Sequence, residues 1–562
     1  MSFKSLFQKE DYCAIWIGVI LLSTALLLFS LNKPKDWDKI NSLDEQISTE
    51  NNTNFKTTFW YQLIDDQKSI SAAKTKIGKQ LKQLSAKPSK WKSNPLDAFY
   101  LSSTKAQEIS EASKEKLSVA TNKTTTAYEL AREKEQKANA ALYQDAKLNQ
   151  EATAAISSWR SEKKELLAVE KKINTKASNR FPSLLLLFLL LLVLFGIGKQ
   201  GMGTSILKFA PSFAVIFILS IIAYLLGGQQ TIKVYGLGYA FWAILIGLVI
   251  SNTLGTPAWL KPALSTEFYI KTALVLLGAE VLIGKVAAIG LPGVFVAWVV
   301  TPIVLLSTYW FGQKILKIGS KTLNMTISAD MSVCGVSAAV ATAAACKAKK
   351  EELTLAIGLS MIFTSVMMIV MPTFIKTVGM PEVLGGAWIG GTIDATGAVV
   401  AAGAFLGDRA LNVAATIKMI QNILIGIISF SVAVYFSKKE ENNTTRTNWK
   451  EIIKHFPKFI IGFIAVSVIF SILYQILGDA KGYALIDQGV IGSFSKNIRG
   501  WCFCLAFVSI GLSINFKSLK DYLKEGKPLL LYLCGQAFNL ALTLLMAYIM
   551  FYLVFPEITE KI

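Results

Sequence analysis

Two short stretches place an acidic residue among hydroxyls and glycines inside otherwise apolar sequence. Ser328–Ala338 contains Asp330, and Gly390–Val400 contains Asp394. A carboxylate at membrane depth is costly, so it usually faces a cavity or a partner and marks a pathway. Glycine beside Ser or Thr lets a helix unwind, and the freed carbonyls and amides can hold ions. We therefore predict a substrate- or ion-binding site formed by these residues: Asp330, Cys334, Gly335, Ser337, Thr392, Asp394 and Thr396.

Four further polar residues in apolar segments are weaker candidates for the same site. They are Glu280, Asn252, Lys418 and Asn422. Glu280 also fits a position at the membrane interface. The alternative for both stretches is close helix packing, since small-residue runs are common where membrane helices touch.

The residue types that most enzymes and metal sites require are scarce. His455 is the single histidine, and none of the six cysteines shows a zinc-type spacing. No Gly-x-x-x-x-Gly-Lys-Ser/Thr loop is present, which disfavours coupling to ATP. We expect a protein that is not an enzyme, with no catalytic residues, no metal and no cofactor.

The composition indicates a membrane protein. The chain is 52% hydrophobic and 17% charged, with a formal net charge of +20. Such an excess of Lys and Arg usually lies in the cytoplasmic loops of a membrane protein. Acidic and basic residues are mixed between residues 33 and 180, which is typical of a solvated helix face. We therefore expect the lipid bilayer, and no nucleic acid, as a partner.

The N-terminal third of the chain divides into an anchor and a polar region. Residues 1–32 hold an apolar run preceded by Lys4 and Lys9, which predicts an uncleaved signal-anchor helix with its N-terminus in the cytoplasm. Residues 33–180 are then periplasmic or extracellular, and we predict a coiled-coil-like helical hairpin with its turn near 86–100. This hairpin is either a spacer or an arm for homo-oligomerisation or for docking an envelope partner.

Residues 181–562 predict a multi-span transporter core. We place the apolar segments at 183–197, 207–226, 236–251, 268–284, 293–312, 325–346, 354–375, 386–404, 411–436, 457–477, 498–515 and 527–553. The basic loops fit a bacterial inner-membrane orientation if 325–346 and 386–404 are re-entrant or broken. A weak similarity between Leu277–Lys285 and Ile510–Ser518 is consistent with an inverted repeat.

Several motifs together carry a resemblance to a known family. Cys334–Ala338, Trp388–Asp394 and His455–Phe459 contribute, together with Ala273–Lys285, Val399–Ala402 and Ala414–Met419. Over residues 190–553 the chain resembles the YeiH-type sulfate exporter family, which is grouped with cation/proton antiporters and bile acid:sodium symporters. The resemblance implies an all-α inverted-repeat transporter fold with discontinuous crossing helices. Cys334–Ala338 would be one crossing element, and the second would be 386–404 or 498–515.

The sequence departs from the family pattern at two positions. Ile393 stands where a His or similar polar residue is often found, and Ala398 stands where a Gln is common. The anchor and hairpin also lie outside the family core, so the resemblance implies nothing about their role.

The favoured hypothesis is a secondary transporter of a small anion, such as a sulfate-like oxyanion, coupled to H⁺ or Na⁺ by alternating access. In this hypothesis the two aspartates bind or relay the coupling cation. Amides and hydroxyls near four residues hold the anion, namely Gly335, Ser337, Thr392 and Thr396. The alternatives are a cation/proton antiporter without an anion substrate, and a membrane-anchored sensor or scaffold acting through the hairpin.

Overall fold

The fold is almost entirely helical. The computed structural model describes residues 8–50, 55–234, 238–280, 290–437, 458–515 and 526–561, and it leaves out a few side chains within these ranges, including that of Ser337. The predicted loop residues around His455 and parts of both segments of the weak internal similarity, 281–285 and 516–518, lie outside the described residues.

The N-terminal part of the chain is built from helices and one pair of two-residue strands. The elements are α1 (Glu10–Leu31), α2 (Lys39–Glu50), α3 (Thr58–Ser69), a 3₁₀ turn (Ala72–Lys74), α4 (Lys76–Leu84), a second 3₁₀ turn (Pro95–Ala98), β1 (Tyr100–Leu101), α5 (Ser103–Ala140), α6 (Ala146–Ile173) and β2 (Ser178–Asn179). The strands pair antiparallel, with Tyr100 opposite Asn179.

The remainder of the described chain is a succession of mostly apolar helices. They are α7 (Phe181–Gly201), α8 (Ile206–Gly228), α9 (Gln230–Val234), α10 (Tyr239–Thr253), a 3₁₀ turn (Ala258–Ala263), α11 (Thr266–Gly278), α12 (Gly290–Lys314), α13 (Lys321–Ala329) with a π-helical extension (Asp330–Cys334), α14 (Val336–Ala345), α15 (Lys350–Thr377), α16 (Glu382–Thr392), α17 (Thr396–Leu406), α18 (Asp408–Ser437), α19 (Lys458–Leu477), α20 (Asp479–Gly482) with a π-helical extension (Tyr483–Ser495), α21 (Lys496–Ser513), α22 (Gly526–Tyr548) with a π-helical extension (Ile549–Val554), and α23 (Pro556–Lys561).

The described residues include eight helices that are long and apolar enough to cross a membrane. They are Glu10–Leu31, Phe181–Gly201, Ile206–Gly228, Gly290–Lys314, Glu351–Thr377, Asp408–Phe436, Lys458–Leu477 and Gly526–Val554. About twenty apolar residues suffice to span the hydrocarbon core as a helix. The prediction of an all-α polytopic membrane protein is therefore confirmed.

The chain divides into two compact units. The first comprises residues 1–21, 188–471 and 498–562, and the second comprises 22–187 and 472–497. Residues 472–497 group with the N-terminal polar region in this division, whereas the predicted division places them in 181–562. The physical reason is a buried contact within the second unit, where the Ser85 hydroxyl donates to the Ser493 carbonyl at 3.1 Å and accepts from Asn497 at 3.2 Å.

The long helical hairpin of the second unit turns at 141–145, so its predicted turn near 86–100 is wrong. Leu142 and Tyr143 adopt φ values of 50° and 57° there, and the Asp145 side chain caps α6 by accepting from two backbone amides. These residues reverse the chain without glycine or proline, which is why the sequence signal was missed. The hairpin core next to this turn is formed mainly by alanines and aromatic rings, with Ile156 among them, and Tyr143 stacks on Phe55 at 4.7 Å.

In the first unit, two of the predicted segments are interrupted helices. The 325–346 segment breaks at Gly335, whose φ of 52° and ψ of −128° separate the π-helical end of α13 from α14. Residues with a side chain rarely adopt this left-handed backbone conformation, which therefore favours glycine. The 386–404 segment breaks where Ile393 and Ala395 take extended conformations between α16 and α17.

Helices α10 and α21 of the first unit cross with their backbones in contact. A Cβ atom added to Gly511 would lie 2.4 Å from the Ile244 carbonyl oxygen and 2.8 Å from Gly247 Cα. Next to this crossing, the Ser251 hydroxyl donates to the carbonyls of Gly511 and Ile514 at 3.0 and 2.7 Å. The carbonyls at the C-terminal end of α21 thus receive donors from α10.

We expect Gly511→Ala to force these two helices apart. Overpacking of this kind costs about 1–3 kcal/mol, so the melting temperature of the purified protein in detergent should fall. Gly238→Ala is the matched control, because a Cβ at Gly238 meets nothing within 4 Å. Equal melting temperatures for the two variants would contradict the close crossing.

Candidate functional site

The two helix breaks meet in the first unit. A Cβ placed on Gly335 would lie 3.4 Å from Asp394 Cβ and 3.1 Å from the Ser360 hydroxyl oxygen. The break in the 386–404 segment is therefore the one that packs against the Gly335 break. Four half-helices, α13, α14, α16 and α17, end or begin around this point.

Carbonyls at the C-terminal ends of the first half-helices receive donors from α18. Lys418 is fully buried, and its ammonium group donates to the Val333 carbonyl at 2.5 Å and to the Gln421 side chain at 2.7 Å. The Gln421 amide donates to the carbonyls of Ser332 at 3.0 Å and Gly391 at 3.3 Å. One glutamine therefore bridges both breaks.

Helix α22 supplies further donors to the same carbonyl ends. Gln536 donates to the Thr392 carbonyl at 3.1 Å, and Asn539 makes a longer contact of 3.5 Å to the Met331 carbonyl. Tyr532 donates its hydroxyl to the Asp394 carboxylate. Since an unsatisfied carbonyl in hydrocarbon costs several kcal/mol, these contacts make the interrupted helices tolerable at membrane depth.

The two aspartates are buried side by side but differ in their partners. Asp394 accepts from Tyr532, whereas among the described residues Asp330 has the Ser360 hydroxyl as its donor and shares it with Asp394. The two carboxyl groups interact electrostatically with each other, and both interact with the Lys418 ammonium. A buried carboxylate with a single shared donor is a group that a proton or a small cation would stabilise.

The amide ends of the second half-helices open onto a cavity. Neither α14 nor α17 has a side-chain cap at its N-terminus, so the first-turn amides lack the usual side-chain acceptor. Both helix starts line a cavity of about 170 Å³. Its described lining is Thr266, Glu267, Val336, Ser360, Met361, Thr364, Ser365, Met368, Ala395, Gly397, Ala398, Ile510, Ser513 and Ile514.

The remaining residues of the predicted site lie beside the breaks. The Thr396 hydroxyl accepts from Asn422 at 3.1 Å and lies 3.5 Å from the Cys334 sulfur. Thr392 is fully buried, and among the described residues its hydroxyl has no partner. The cavity lining given above includes neither threonine. The side chain of Ser337 is outside the described part of the chain, although its backbone begins α14.

Two of the weaker candidates lie in other contacts of the first unit. Glu280 forms a two-point ion pair with Arg499, with distances of 2.8 and 3.0 Å between their nitrogen and oxygen atoms. The Asn252 amide donates to the Ile514 carbonyl at 3.1 Å, beside the crossing of α10 and α21. Among the predicted residues, Lys418 and Asn422 are thus brought to the two breaks, whereas Glu280 and Asn252 have these other partners.

Several residues of the site were missed from the sequence. Tyr532, Gln536, Asn539 and Thr543 recur at intervals of three or four along α22, which is a polar stripe on an apolar helix. Ser360 and Thr364 stand one turn apart on α15 in the same way. Outside the site, Arg499 inside the apolar 498–515 segment was a visible signal for the ion pair with Glu280.

We expect Gln421→Leu to leave the carbonyls of Ser332 and Gly391 without this donor. Each unsatisfied group costs about 1–3 kcal/mol, so thermal unfolding in detergent should shift down clearly. Thr416→Val is the control on the same helix, because the Thr416 hydroxyl bonds only locally to the Asn412 carbonyl in the bonds described here. A Gln421→Leu protein as stable as Thr416→Val would refute the bridging role.

A second prediction concerns the buried pair of Glu280 and Arg499, whose side chains are 9% and 3% exposed. Arg499→Met should lower the free energy of unfolding by about 3–5 kcal/mol, because it removes the cation from a buried carboxylate. Adding Glu280→Gln should recover most of that loss in a denaturant titration. If Arg499→Met has the same free energy of unfolding as the wild type, the ion pair does not contribute this stability.

Comparison with known proteins identifies the family. The model of "Conserved hypothetical protein 698" matches residues 211–532. A UPF0324 membrane protein of Nitratidesulfovibrio vulgaris is 53% identical over 100% of this chain and 97% of its own length, and a second from that organism is 52% identical over the same shares. A UPF0324 membrane protein of Rhodopirellula baltica is 59% identical over 68% of this chain and 70% of its own length.

No solved structure matches the chain. The family match covers more than half of the chain, including both helix breaks and α18, and it ends within α22 at Tyr532. The protein is a member of the conserved hypothetical protein 698 family, whose relatives named above are UPF0324 membrane proteins.

Proposed function

We propose that this protein is a secondary transporter of a small anion, coupled to H⁺ or Na⁺ and working by alternating access. The observation that carries the proposal is that the carbonyl ends and the amide ends of the broken helices have different surroundings. The carbonyl ends receive side-chain donors, the uncapped amide ends of α14 and α17 open onto a cavity, and the carboxylates of Asp330 and Asp394 are buried at the breaks. Transporters build midplane sites from such discontinuous helices.

In this proposal the anion binds at the amide ends. Each helix N-terminus carries roughly half a positive charge, so two of them at one cavity attract an anion without any basic side chain. Ser360 lines this cavity, and its hydroxyl also interacts with the Asp394 carboxylate. It therefore connects the anion position with the carboxylate pair.

The coupling cation would bind at Asp330 and Asp394. Asp330 shares its Ser360 donor with Asp394, so gaining a proton or Na⁺ would remove a poorly compensated charge from the membrane interior. That change would alter the balance with Lys418, which donates to the backbone of the first break. Occupancy of the cation site would thereby change the hydrogen bonding of the backbone next to the start of α14.

The resemblance to the YeiH-type sulfate exporters supports an oxyanion among the substrates and an inverted-repeat architecture. The basic residues Lys4 and Lys9 and the basic loops support a bacterial inner-membrane location, with the N-terminus cytoplasmic and 33–180 outside. The hairpin in that region would then serve oligomerisation or docking of an envelope partner. Sulfate export and the fold relationship to antiporters and symporters remain part of the proposal.

The test is gradient-driven anion uptake into proteoliposomes by Asp330→Asn, Asp394→Asn and the double variant. We expect uptake in the double variant to fall by about tenfold or more, with anion counterflow retained, because the carboxylates carry coupling and the amides carry the anion. Glu351→Gln, at an exposed carboxylate in the first turn of α15, is the matched control. Wild-type uptake and proton dependence in the double variant would overturn the assignment.

A cation/proton antiporter without an anion substrate is the second candidate, and the buried carboxylate pair favours it. The same vesicles separate the two functions. Exchange of Na⁺ for H⁺ without added anion identifies the antiporter, whereas a saturable flux that requires an anion identifies the anion transporter.

A further inference from the structure

The lining of the cavity at the starts of α14 and α17 combines polar groups with apolar side chains. The polar groups include these helix N-termini and the Thr364 hydroxyl on α15. The apolar side chains are those of Val336, Met361, Met368, Ile510 and Ile514. A ligand that matched both kinds of group would carry a charged head on a nonpolar body.

Thr364 indicates where the head of such a ligand lies. This residue is only 9% exposed, and among the described residues its hydroxyl has no hydrogen-bond partner. Buried hydroxyls are nearly always paired, so an unpaired one that lines a cavity needs an acceptor from a ligand. Thr364 lies one helical turn after Ser360, whose own hydroxyl is engaged by the carboxylates of Asp330 and Asp394.

Part of the apolar lining of the cavity is exposed within this unit. Met361 is 38% exposed and Val336 is 44% exposed, although both border the cavity. Methionine adapts to irregular apolar shapes and suits a hydrocarbon body. These side chains offer no donors to a hydrated inorganic dianion, which would have to lose water against them.

The charges also favour one negative charge over two. Two helix N-termini supply roughly one positive charge in total. The Glu267 carboxylate lines the same cavity, and its interaction with the Lys271 ammonium is long, at 3.9 Å. A second negative charge on the ligand would therefore meet repulsion without a matching cation.

We infer that the transported anion is a short organic monoanion, a carboxylate or a sulfonate, whose head binds the helix starts and Thr364 and whose carbon chain packs against Met361. This inference rests on the proposed function and narrows it to one substrate class. The head contributes affinity through hydrogen bonds to its oxygens, and the body contributes through burial of apolar surface.

The test measures binding by thermal shift of the purified full-length protein, with counterflow in proteoliposomes as the second readout. The probes are sulfate and the permanently charged series methane-, ethane- and propanesulfonate. We expect affinity to rise about fourfold per added methylene until the cavity is filled. Sulfate should bind more weakly than propanesulfonate.

Two variants separate the head from the body. Thr364→Val should weaken every sulfonate by about tenfold or more, since a hydrogen bond to a charged group is lost. Met361→Gln keeps the side-chain length and should reduce the gain per methylene to about twofold or less, with methanesulfonate affected least. Thr373→Val is the control, because the Thr373 hydroxyl is exposed and bonds to Ile369 in its own helix at 2.7 Å.

The outcomes distinguish a failure of the substrate inference from a failure of the proposed function. Sulfate binding at least as tight as propanesulfonate, with no chain-length trend, would overturn the inference and leave the anion transporter standing. No binding and no flux for any of these anions or for small carboxylates, with the protein shown to be folded, would overturn the proposed function itself. A chain-length trend that Met361→Gln does not change would overturn the assignment of the body to this cavity.

Discussion

The central constraint on this protein is that backbone carbonyls freed inside a membrane must find donors. Interrupting two helices exposes such carbonyls at the ends of the first halves, where hydrocarbon offers no water. Lys418 and Gln421 supply donors from α18, and Gln536 supplies one from α22. The positions of these two helices against the breaks follow from that requirement.

The same requirement gives the carbonyl ends and the amide ends of the broken helices different surroundings. Side chains with donors occupy the carbonyl ends, so what remains at the starts of α14 and α17 is a set of amides next to a cavity. The glycine at 335 makes this possible, because a side chain there would meet Ser360 and Asp394. Packing, backbone conformation and electrostatics therefore all favour an anion site at the starts of α14 and α17.

Much of this architecture could be predicted from local sequence. Apolar segments identified the membrane helices, and the two aspartates among glycines identified the interrupted segments and the buried carboxylates. These signals are local in the chain, because length, hydropathy and the cost of a buried charge depend only on nearby residues.

What the sequence could not provide depends on contacts between distant residues. Gln421 bonds to a carbonyl 30 residues away, and Gln536 bonds to one 144 residues away. The turn at Leu142 and Tyr143 was missed for another reason, since two ordinary side chains take left-handed conformations there. The grouping of 472–497 with the second unit likewise depends on the distant contact of Ser85 with Ser493.

The origin of the donors has a consequence for biosynthesis. The ribosome completes both interrupted segments long before it reaches α22, yet the Thr392 carbonyl takes its donor from Gln536 and the Asp394 carboxylate takes its donor from Tyr532. During insertion these groups must stay in contact with water, with lipid headgroups or with the insertion machinery. The second interruption can therefore be sealed from its surroundings only after α22 has entered the bilayer, which makes that late helix a checkpoint for assembly.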